Sequence, residues 1–361
     1  MAANDINLRR IQAALGEGKI AADAILLTSH INRYFATGFP SSAGMVLITA
    51  ENCLFATDFR YFEAAQNALP HIELKMIQRG EKYTDLMNAK IDAWKIGKLA
   101  FEDGETSVAQ YNALKDALKA ELVPLGQQIN YLRAAKTEEE LENMRKAQAI
   151  TDAAFEKVLE DIHVGMTEKE IEAKLIYHLY NCGGEKLSFD PIVVSGPNSS
   201  LPHGSATDRV VQSGEFVTMD FGVLYHGYCS DMTRTVAVGG ASDEMKKIYE
   251  IVLEAQAIGL REARAGRKWS EVDAAARNYI AEQGYGEYFG HGLGHGLGLE
   301  VHESLSYSEE TADMTPVNGV VSCEPGIYLP GKFGVRIEDC VILKDGGCEN
   351  LTKAKKNLLI L

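Results

Sequence analysis

The stretch His291-Gly-Leu-Gly-His-Gly-Leu-Gly-Leu-Glu-Val-His-Glu303 places three of the chain's nine histidines within twelve positions, and with Gly290 it carries five glycines. A helix would not tolerate that density, because each glycine costs about 1 kcal/mol relative to alanine in a helix interior. A loop or strand whose backbone must approach something closely uses glycine well. From Leu297 the run Leu-Gly-Leu-Glu-Val-His alternates, which predicts a strand entering a site. The imidazoles are therefore presented on open backbone, and what they face decides both fold and chemistry.

Four carboxylates elsewhere lie among residues that favour burial. Asp220 closes the apolar run Glu215-Phe-Val-Thr-Met-Asp-Phe221, and Asp231 opens the return run Cys229-Ser-Asp-Met-Thr-Arg234. Glu324 sits in Val320-Val-Ser-Cys-Glu-Pro325, and Glu338 in Gly334-Val-Arg-Ile-Glu-Asp-Cys-Val-Ile-Leu343. A buried, unpaired carboxylate is costly and demands a cation or a proton. The arginines close to them in sequence, Arg234 and Arg336, are too few for four carboxylates, and crowded like charges resist ionising. Two divalent cations resolve the balance. With His295 added, the set is Asp220, Asp231, His295, Glu324 and Glu338. Hard oxygen donors with one imidazole favour Mn²⁺, with Co²⁺, Fe²⁺ and Zn²⁺ as alternatives. Ions about 3.5–4 Å apart can share a water and lower its pKa, which makes the expected reaction a hydrolysis.

Element order explains how these carboxylates would meet. Thr137-x-x-Glu140 and Thr167-x-x-Glu170 are capping boxes that open two helices, the first with a stripe of Leu141, Met144, Gln148, Thr151, Phe155 and Val158 or Leu159. A hairpin pattern follows, with Phe216 to Phe221 and Ser230 to Val238 as arms and a turn near Tyr225–Gly227. The second half repeats the order: a helix from Ser242-Asp243, another opened by a box Ser270-x-x-Asp273, then glycine-rich strands and a hairpin with Val320 to Glu324 and Val335 to Leu343 as arms. Corresponding landmarks lie 103 to 107 residues apart. This predicts two duplicated α-β halves facing each other across a shared site.

Residues 1–131 read as a smaller α/β unit. Its expected pieces are a helix over Leu8–Leu15, strands at Ala24–Leu27, Gly44–Ile48 and Asn52–Ala56, a helix over Glu63–Ala68 and another over Val108–Leu118. Thr57-Asp-Phe-Arg-Tyr61 reads either as a helix cap with a surface ion pair or as Asp58 and Arg60 reaching the site of a neighbouring subunit. At 361 residues the chain is expected to hold two domains, 1–131 and 132–361. A net charge of −15 argues against nucleic acid as a partner. No apolar run reaches the roughly 18 residues of a membrane span, and the N-terminus lacks an apolar signal core. Six scattered cysteines without a Cys-x-x-Cys pair point to free thiols and a cytoplasmic location. Cys229 and Cys323 are expected to pack as small apolar groups. The histidines at 30, 71, 163, 178 and 226 carry no functional signal. Asp220-Phe-Gly222 lacks the companion motifs of a kinase, the glycines from 290 to 298 never satisfy Gly-x-Gly-x-x-Gly, and His302-Glu303 is not part of a His-Glu-x-x-His motif.

Taken together, His291–Glu303, Thr218-Met-Asp-Phe-Gly222, Ser230-Asp-Met-Thr-Arg-Thr235, Glu324-Pro-Gly-Ile-Tyr328 and Val335-Arg-Ile-Glu-Asp339 resemble the proline-specific branch of the M24 metallopeptidases, the Xaa-Pro aminopeptidases and Xaa-Pro dipeptidases (prolidases). The resemblance implies an α/β (α+β) protein: a pita-bread catalytic domain with a dinuclear metal site over 132–361, preceded by a creatinase-type N-terminal domain. It implies Asp220, Asp231, His295, Glu324 and Glu338 as ligands, with Asp231 and Glu338 bridging and Glu324 also passing a proton. His203 resembles the proton-shuttling histidine, His302 the group that stabilises the tetrahedral intermediate, and His291 the one lining the leaving-residue pocket. Arg336 and Tyr328 match positions that orient these groups. The implied activity is an aminopeptidase that cleaves the N-terminal Xaa-Pro bond of short peptides through a metal-bridging hydroxide. The alternatives are an Xaa-Pro dipeptidase and a broader aminopeptidase that also removes methionine. A homodimer is implied as well. Creatinase shares the fold without the metal, but it lacks the ligand set found here. Non-catalytic binding relatives typically lose ligands, which disfavours that reading.

Overall fold

The structure, a computed structural model, describes residues 4–307 and 314–361. The chain forms two compact units, Met1–Arg133 and Ala134–Leu361. Among the described residues no helix is long and apolar enough to cross a membrane.

The first unit is built on strands β1 (Ala24–Leu27), β2 (Met45–Thr49), β3 (Cys53–Asp58), β4 (Glu73–Ile77), β5 (Lys98–Phe101) and β6 (Glu121–Pro124). They form one sheet in the order β4-β3-β2-β1-β5-β6. Central β1 is buried along its whole length, as an unbroken Ala-Ile-Leu-Leu run requires. It pairs antiparallel with β2 and parallel with β5. Helices α1 (Asn4–Gly16), α2 (His30–Thr37), α3 (Phe59–Ala68), α4 (Tyr83–Trp94), α5 (Val108–Ala117) and α6 (Gln128–Ala134) alternate with the strands. Helix α3 starts before the expected Glu63 because Asp58, the last residue of β3, caps it. The Asp58 carboxylate accepts from the Arg60 amide at 2.9 Å and pairs with the exposed Arg60 guanidinium at 2.6 Å.

The second unit opens with α7 (Glu138–Asp161) and α8 (Glu168–Asn181), whose Thr137 and Thr167 capping boxes are both formed. Leu141, Met144, Gln148, Thr151, Phe155 and Val158 are buried along α7, so its stripe faces the core. Strands β7 (Lys186–Leu187), β8 (Ile192–Ser195), β9 (Glu215–Phe221), β10 (Val223–Tyr225), β11 (Tyr228–Cys229) and β12 (Met232–Val238) follow. β9 lies between β8 and β12, antiparallel to both. Helices α9 (Asp243–Glu262) and α10 (Trp269–Glu282) then repeat the helix pair. They precede β13 (Gly294–Gly296), β14 (Glu303–Tyr307), β15 (Val320–Cys323), β16 (Gly326–Leu329), β17 (Phe333–Arg336), β18 (Asp339–Lys344) and β19 (Gly347–Asn350). Each half has its own core. Phe155, Ile171 and Leu175 pack on Val217, Met219 and Met232 in the first. Ile248, Val252, Trp269 and Ala276 pack on Val321, Val335 and Val341 in the second.

Three local expectations need correction. α10 starts at Trp269 after Lys268, with no side-chain cap, so Ser270-x-x-Asp273 is not a capping box. Asp273 is fully buried and paired with Arg277 instead. The arm expected over Val335–Leu343 is two strands, β17 and β18, because β17 turns back on β16 while β18 pairs with β15. The break falls at Ile337-Glu338. Finally, the run Leu297–His302 is not a strand. β13 spans only Gly294–Gly296, and the chain then turns, with the Gly298 amide donating to the Glu300 carbonyl at 2.9 Å and the Leu299 amide to the Glu303 carboxylate at 3.0 Å.

Thr137→Ala removes the α7 cap while leaving the buried stripe intact. It is expected to lower the unfolding free energy of the second unit by about 1 kcal/mol, read from denaturant midpoints by Trp269 fluorescence in a Trp94→Phe background.

Candidate metal centre

The strand ends deliver the predicted carboxylates to one place. Asp220 is the one residue of β9 between Phe216 and Phe221 that is not fully buried. Asp231 directly precedes β12, Glu324 directly follows β15, and Glu338 directly precedes β18. His295 sits in the middle of β13. A cavity of about 820 Å³ is lined by all five, and also by His203, His291, His302 and Arg336. Ligating atoms of Asp231, His295 and Glu338 lie within 4.8 Å of one another. His295 Nε2 is 3.6 Å from Asp231 Oδ2 and 3.3 Å from Glu324 Oε1. Tyr328 is buried beside this group and reaches the cavity through its partners.

The glycines of the histidine run make this approach feasible. A Cβ on Gly294 would sit 2.1 Å from the Ser322 carbonyl oxygen, so only glycine lets β13 lie this close to β15. The turn after it is fixed by Glu303, whose buried carboxylate pairs with the equally buried Lys136 at 2.9 Å. Its start is fixed by Asp273, which accepts from the Leu293 amide at 2.8 Å and pairs with Arg277. Arg277 in turn donates to the carbonyls of Phe289 at 2.9 Å and His291 at 2.7 Å. The spacing of Asp273 and Arg277 shows a helical i,i+4 pair in the sequence, but its target, the backbone of a loop more than ten residues on, leaves no local signal.

Glu338 is held at three points by one neighbour strand. Its amide donates to the Thr233 carbonyl at 3.1 Å, its Oε2 accepts from Thr233 Oγ1 at 2.7 Å, and its carbonyl accepts from Arg234 Nη1. Arg234 spends its remaining donors on Asp339 Oδ1 at 2.8 Å and on the carbonyls of Ala354 and Lys355. Asp339 also takes Lys356 and Asn350. Arg336 holds Asp220 Oδ2 at 2.6 Å, Thr233 Oγ1 at 3.0 Å and the Tyr328 hydroxyl at 2.8 Å. The Tyr328 hydroxyl lies 2.9 Å from His291 Nε2, so His291, Tyr328, Arg336 and Asp220 form a continuous chain.

Electrostatics then single out the rest. Asp220 Oδ1, Asp231 Oδ1 and Glu338 Oε1 are buried with no hydrogen-bond partner among the described residues. Burial first, then repulsion from Glu338, Asp220 and Glu324, pushes the Asp231 carboxyl well above its ordinary range. Burial and repulsion from Glu324 and Asp220 do the same for Glu338. Glu324 is raised mainly by burial, against the pull of His291 and Arg336. Burial lowers His295, His291 and His302, which keeps these imidazoles neutral and able to act as ligands or single N–H donors. His302 lies at the cavity mouth with its ring 4.3 Å from that of His295. His203 is exposed on the loop after Ser200 and lines the same cavity. Of the other histidines, His178 pairs with Asp161 at 2.7 Å away from this cavity. Cys229 and Cys323 are buried.

The chain is similar to known proteins along most of its length. Residues 142–345 match the model of metallopeptidase family M24, and residues 7–135 match the creatinase/prolidase N-terminal domain. The chain is 38% identical over 343 residues to an Xaa-Pro dipeptidase of Pyrococcus horikoshii, covering 94% of this chain and 95% of that one. Its structure is similar to an Xaa-Pro dipeptidase from Bacillus anthracis, with a TM-score of 0.95, 42% identity, and 99% and 100% of the two chains covered. It is also similar to an X-Pro aminopeptidase from Thermotoga maritima, with a TM-score of 0.90, 38% identity, and 96% and 99% covered.

The crowded carboxyls make a prediction for metal-stripped protein. A carboxyl whose pKa is raised on folding favours the native state at low pH and loses that advantage as pH climbs through its folded value. Glu338→Gln, which keeps the shape without the charge, should therefore match the wild type near pH 4. It should be increasingly more stable as pH rises, by at most about 1.4 kcal/mol per pH unit, in thermal or denaturant unfolding with chelator present.

Proposed function

The chain belongs to metallopeptidase family M24, and from that premise we propose that it hydrolyses the Xaa-Pro bond of short peptides with a free N-terminus, Xaa-Pro dipeptides first among them. The observation that carries this is the meeting of three unsatisfied, buried carboxylate oxygens with a neutral imidazole in a cavity that also presents His203, His291 and His302. The similarity to two Xaa-Pro dipeptidases supports the dipeptide preference. The similarity to an X-Pro aminopeptidase favours a second reading, in which longer peptides are accepted.

The donor set fits a pair of divalent cations, Mn²⁺ by its hard oxygens and single imidazole. Asp220, Asp231, His295, Glu324 and Glu338 would hold them. When bound, the ions supply Lewis acidity and a water acidified towards neutrality. Glu324, lifted above the usual carboxyl range by burial, takes a proton from the attacking water and returns it to the leaving nitrogen. His302, neutral at the mouth, donates its N–H to the oxyanion as the carbonyl becomes tetrahedral. His203, which also lines the cavity, helps protonate the imide nitrogen. His291, fixed by Tyr328 and Arg336, lines the pocket for the departing proline.

Mn²⁺-loaded protein is expected to turn over Ala-Pro, to lose that activity on chelation, and to leave Met-Ala-Ser intact. Cleavage of Ala-Pro-Ala but not Ala-Pro would transfer the assignment to the aminopeptidase reading. His302→Ala should lower kcat about 10²- to 10³-fold, the usual loss for one oxyanion donor, with bound metal unchanged by mass spectrometry.

A further inference from the structure

Glu168 is fully buried at the first position of α8. It is not needed as a cap, because Thr167 already accepts from the Glu170 amide. Its carboxylate instead serves the segment that follows β8. Oε1 accepts from the Ser195 amide at 2.7 Å and the Ser195 hydroxyl at 2.9 Å. Oε2 accepts from the Thr207 amide at 3.0 Å and the Thr207 hydroxyl at 2.6 Å. The Asn198 side-chain amide donates to both oxygens, at 3.1 and 3.2 Å. Arg209, paired with Glu215, donates to Ser195 Oγ at 2.7 Å and brings positive charge to the cluster. The α8 N-terminus favours the negative charge too.

These donors stand on both sides of His203. The stretch between them has no regular structure after Ser200, and His203 is exposed, with no hydrogen bond to its ring among the described residues. Its position therefore depends on the loop backbone. The crest of that loop touches the centre, since the Pro202 carbonyl accepts from Arg336 Nη1 at 3.3 Å, and Ser199 Oγ accepts from the Gly334 amide at 2.9 Å. Only the base of the loop needs a separate anchor, and charge-assisted bonds to a buried carboxylate are the strong kind.

We propose that Glu168 is a positioning residue that fixes His203 against the catalytic cavity. This rests on the role given above to His203. Glu168→Gln is a selective probe: it keeps the volume but turns an NH₂ donor towards amide donors at one end of the clamp. With Ala-Pro as substrate it should lower kcat about 10- to 100-fold, the scale of a small misplacement, while KM and bound Mn²⁺ stay near wild type. The double variant with His203→Ala should be no slower than His203→Ala alone, because both changes remove the same contribution. Losses that multiply, or a Gln variant with wild-type kcat, would overturn the proposal. Thr207→Val, which removes the hydroxyl that donates to Glu168 and accepts from the Arg209 amide, should show the same pattern at about 3- to 10-fold.

A second readout does not depend on turnover. The His203 ring signal in ¹H–¹³C NMR, assigned with His203→Gln, should be single in the wild type and broadened or split in Glu168→Gln, with the His302 signal unmoved. An unchanged His203 signal refutes the inference even if no Xaa-Pro peptide is cleaved. Failure of the wild type on Ala-Pro with the expected NMR change would instead sink the proposed function alone.

Discussion

Asp231 and Glu338 approach each other inside the second unit with one carboxylate oxygen apiece that nothing in the described protein satisfies. A protein interior does not tolerate such a pair as free anions, since each would lose several kcal/mol of hydration without compensation. Either protons or cations must join them. What surrounds the pair excludes a polypeptide solution. Thr233 and Arg234 grip Glu338 by its amide, carbonyl and one oxygen, which fixes its place but leaves the second oxygen bare. The guanidinium of Arg234 is consumed by Asp339 and by backbone carbonyls, that of Glu338 among them. Arg336 is committed to Asp220. The structure thus rigidly presents unmet charge, which is what a tight, pre-organised site for divalent ions needs.

Duplication is how one chain brings such charges together without unfolding itself. Each half carries a helix pair over its own apolar core. The edge strand of the first, β12, meets the segment between β17 and β18 of the second through the Thr233 and Thr235 contacts with Arg336 and Glu338. The carboxylates sit at the ends of strands whose middles are hydrophobic. Packing energy from the two cores therefore supports the electrostatic cost at the seam. This is the pita-bread arrangement of the family, and here its seam is made of threonine hydroxyls and arginine, groups that can donate to carboxylates while staying rigid.

Much of this was legible in residue order. Capping boxes at Thr137 and Thr167 and the apolar stripe of α7 mark their helices because caps and periodicity are local effects. Asp220, Asp231, Glu324 and Glu338 stood out as charges at the ends of apolar runs, and the structure places them around one cavity. What stayed hidden was non-local. Leu297–His302 alternates like a strand, yet the Glu303–Lys136 pair and the close approach at Gly294 bend it into a turn. Ser270-x-x-Asp273 has the spacing of a capping box, yet Asp273 is drawn inside by Arg277 and the Leu293 amide. Glu168 looks like any acidic residue of a first helical turn, and its six contacts to residues 195–207 have no signature in sequence.

Charge placement also bears on what enters the cavity. Behind the centre the protein uses two cations, Arg234 and Lys356, to neutralise one carboxylate, Asp339, whose pKa is pulled below its ordinary range as a result. In front, four carboxylates share Arg336, and the imidazoles beside them are held neutral. Cationic side chains are thus kept on the far side of the strands, and Arg336 is the cation among the described residues lining the cavity. Two divalent ions would offset four ionised carboxylates, leaving Arg336 as the net charge of the centre.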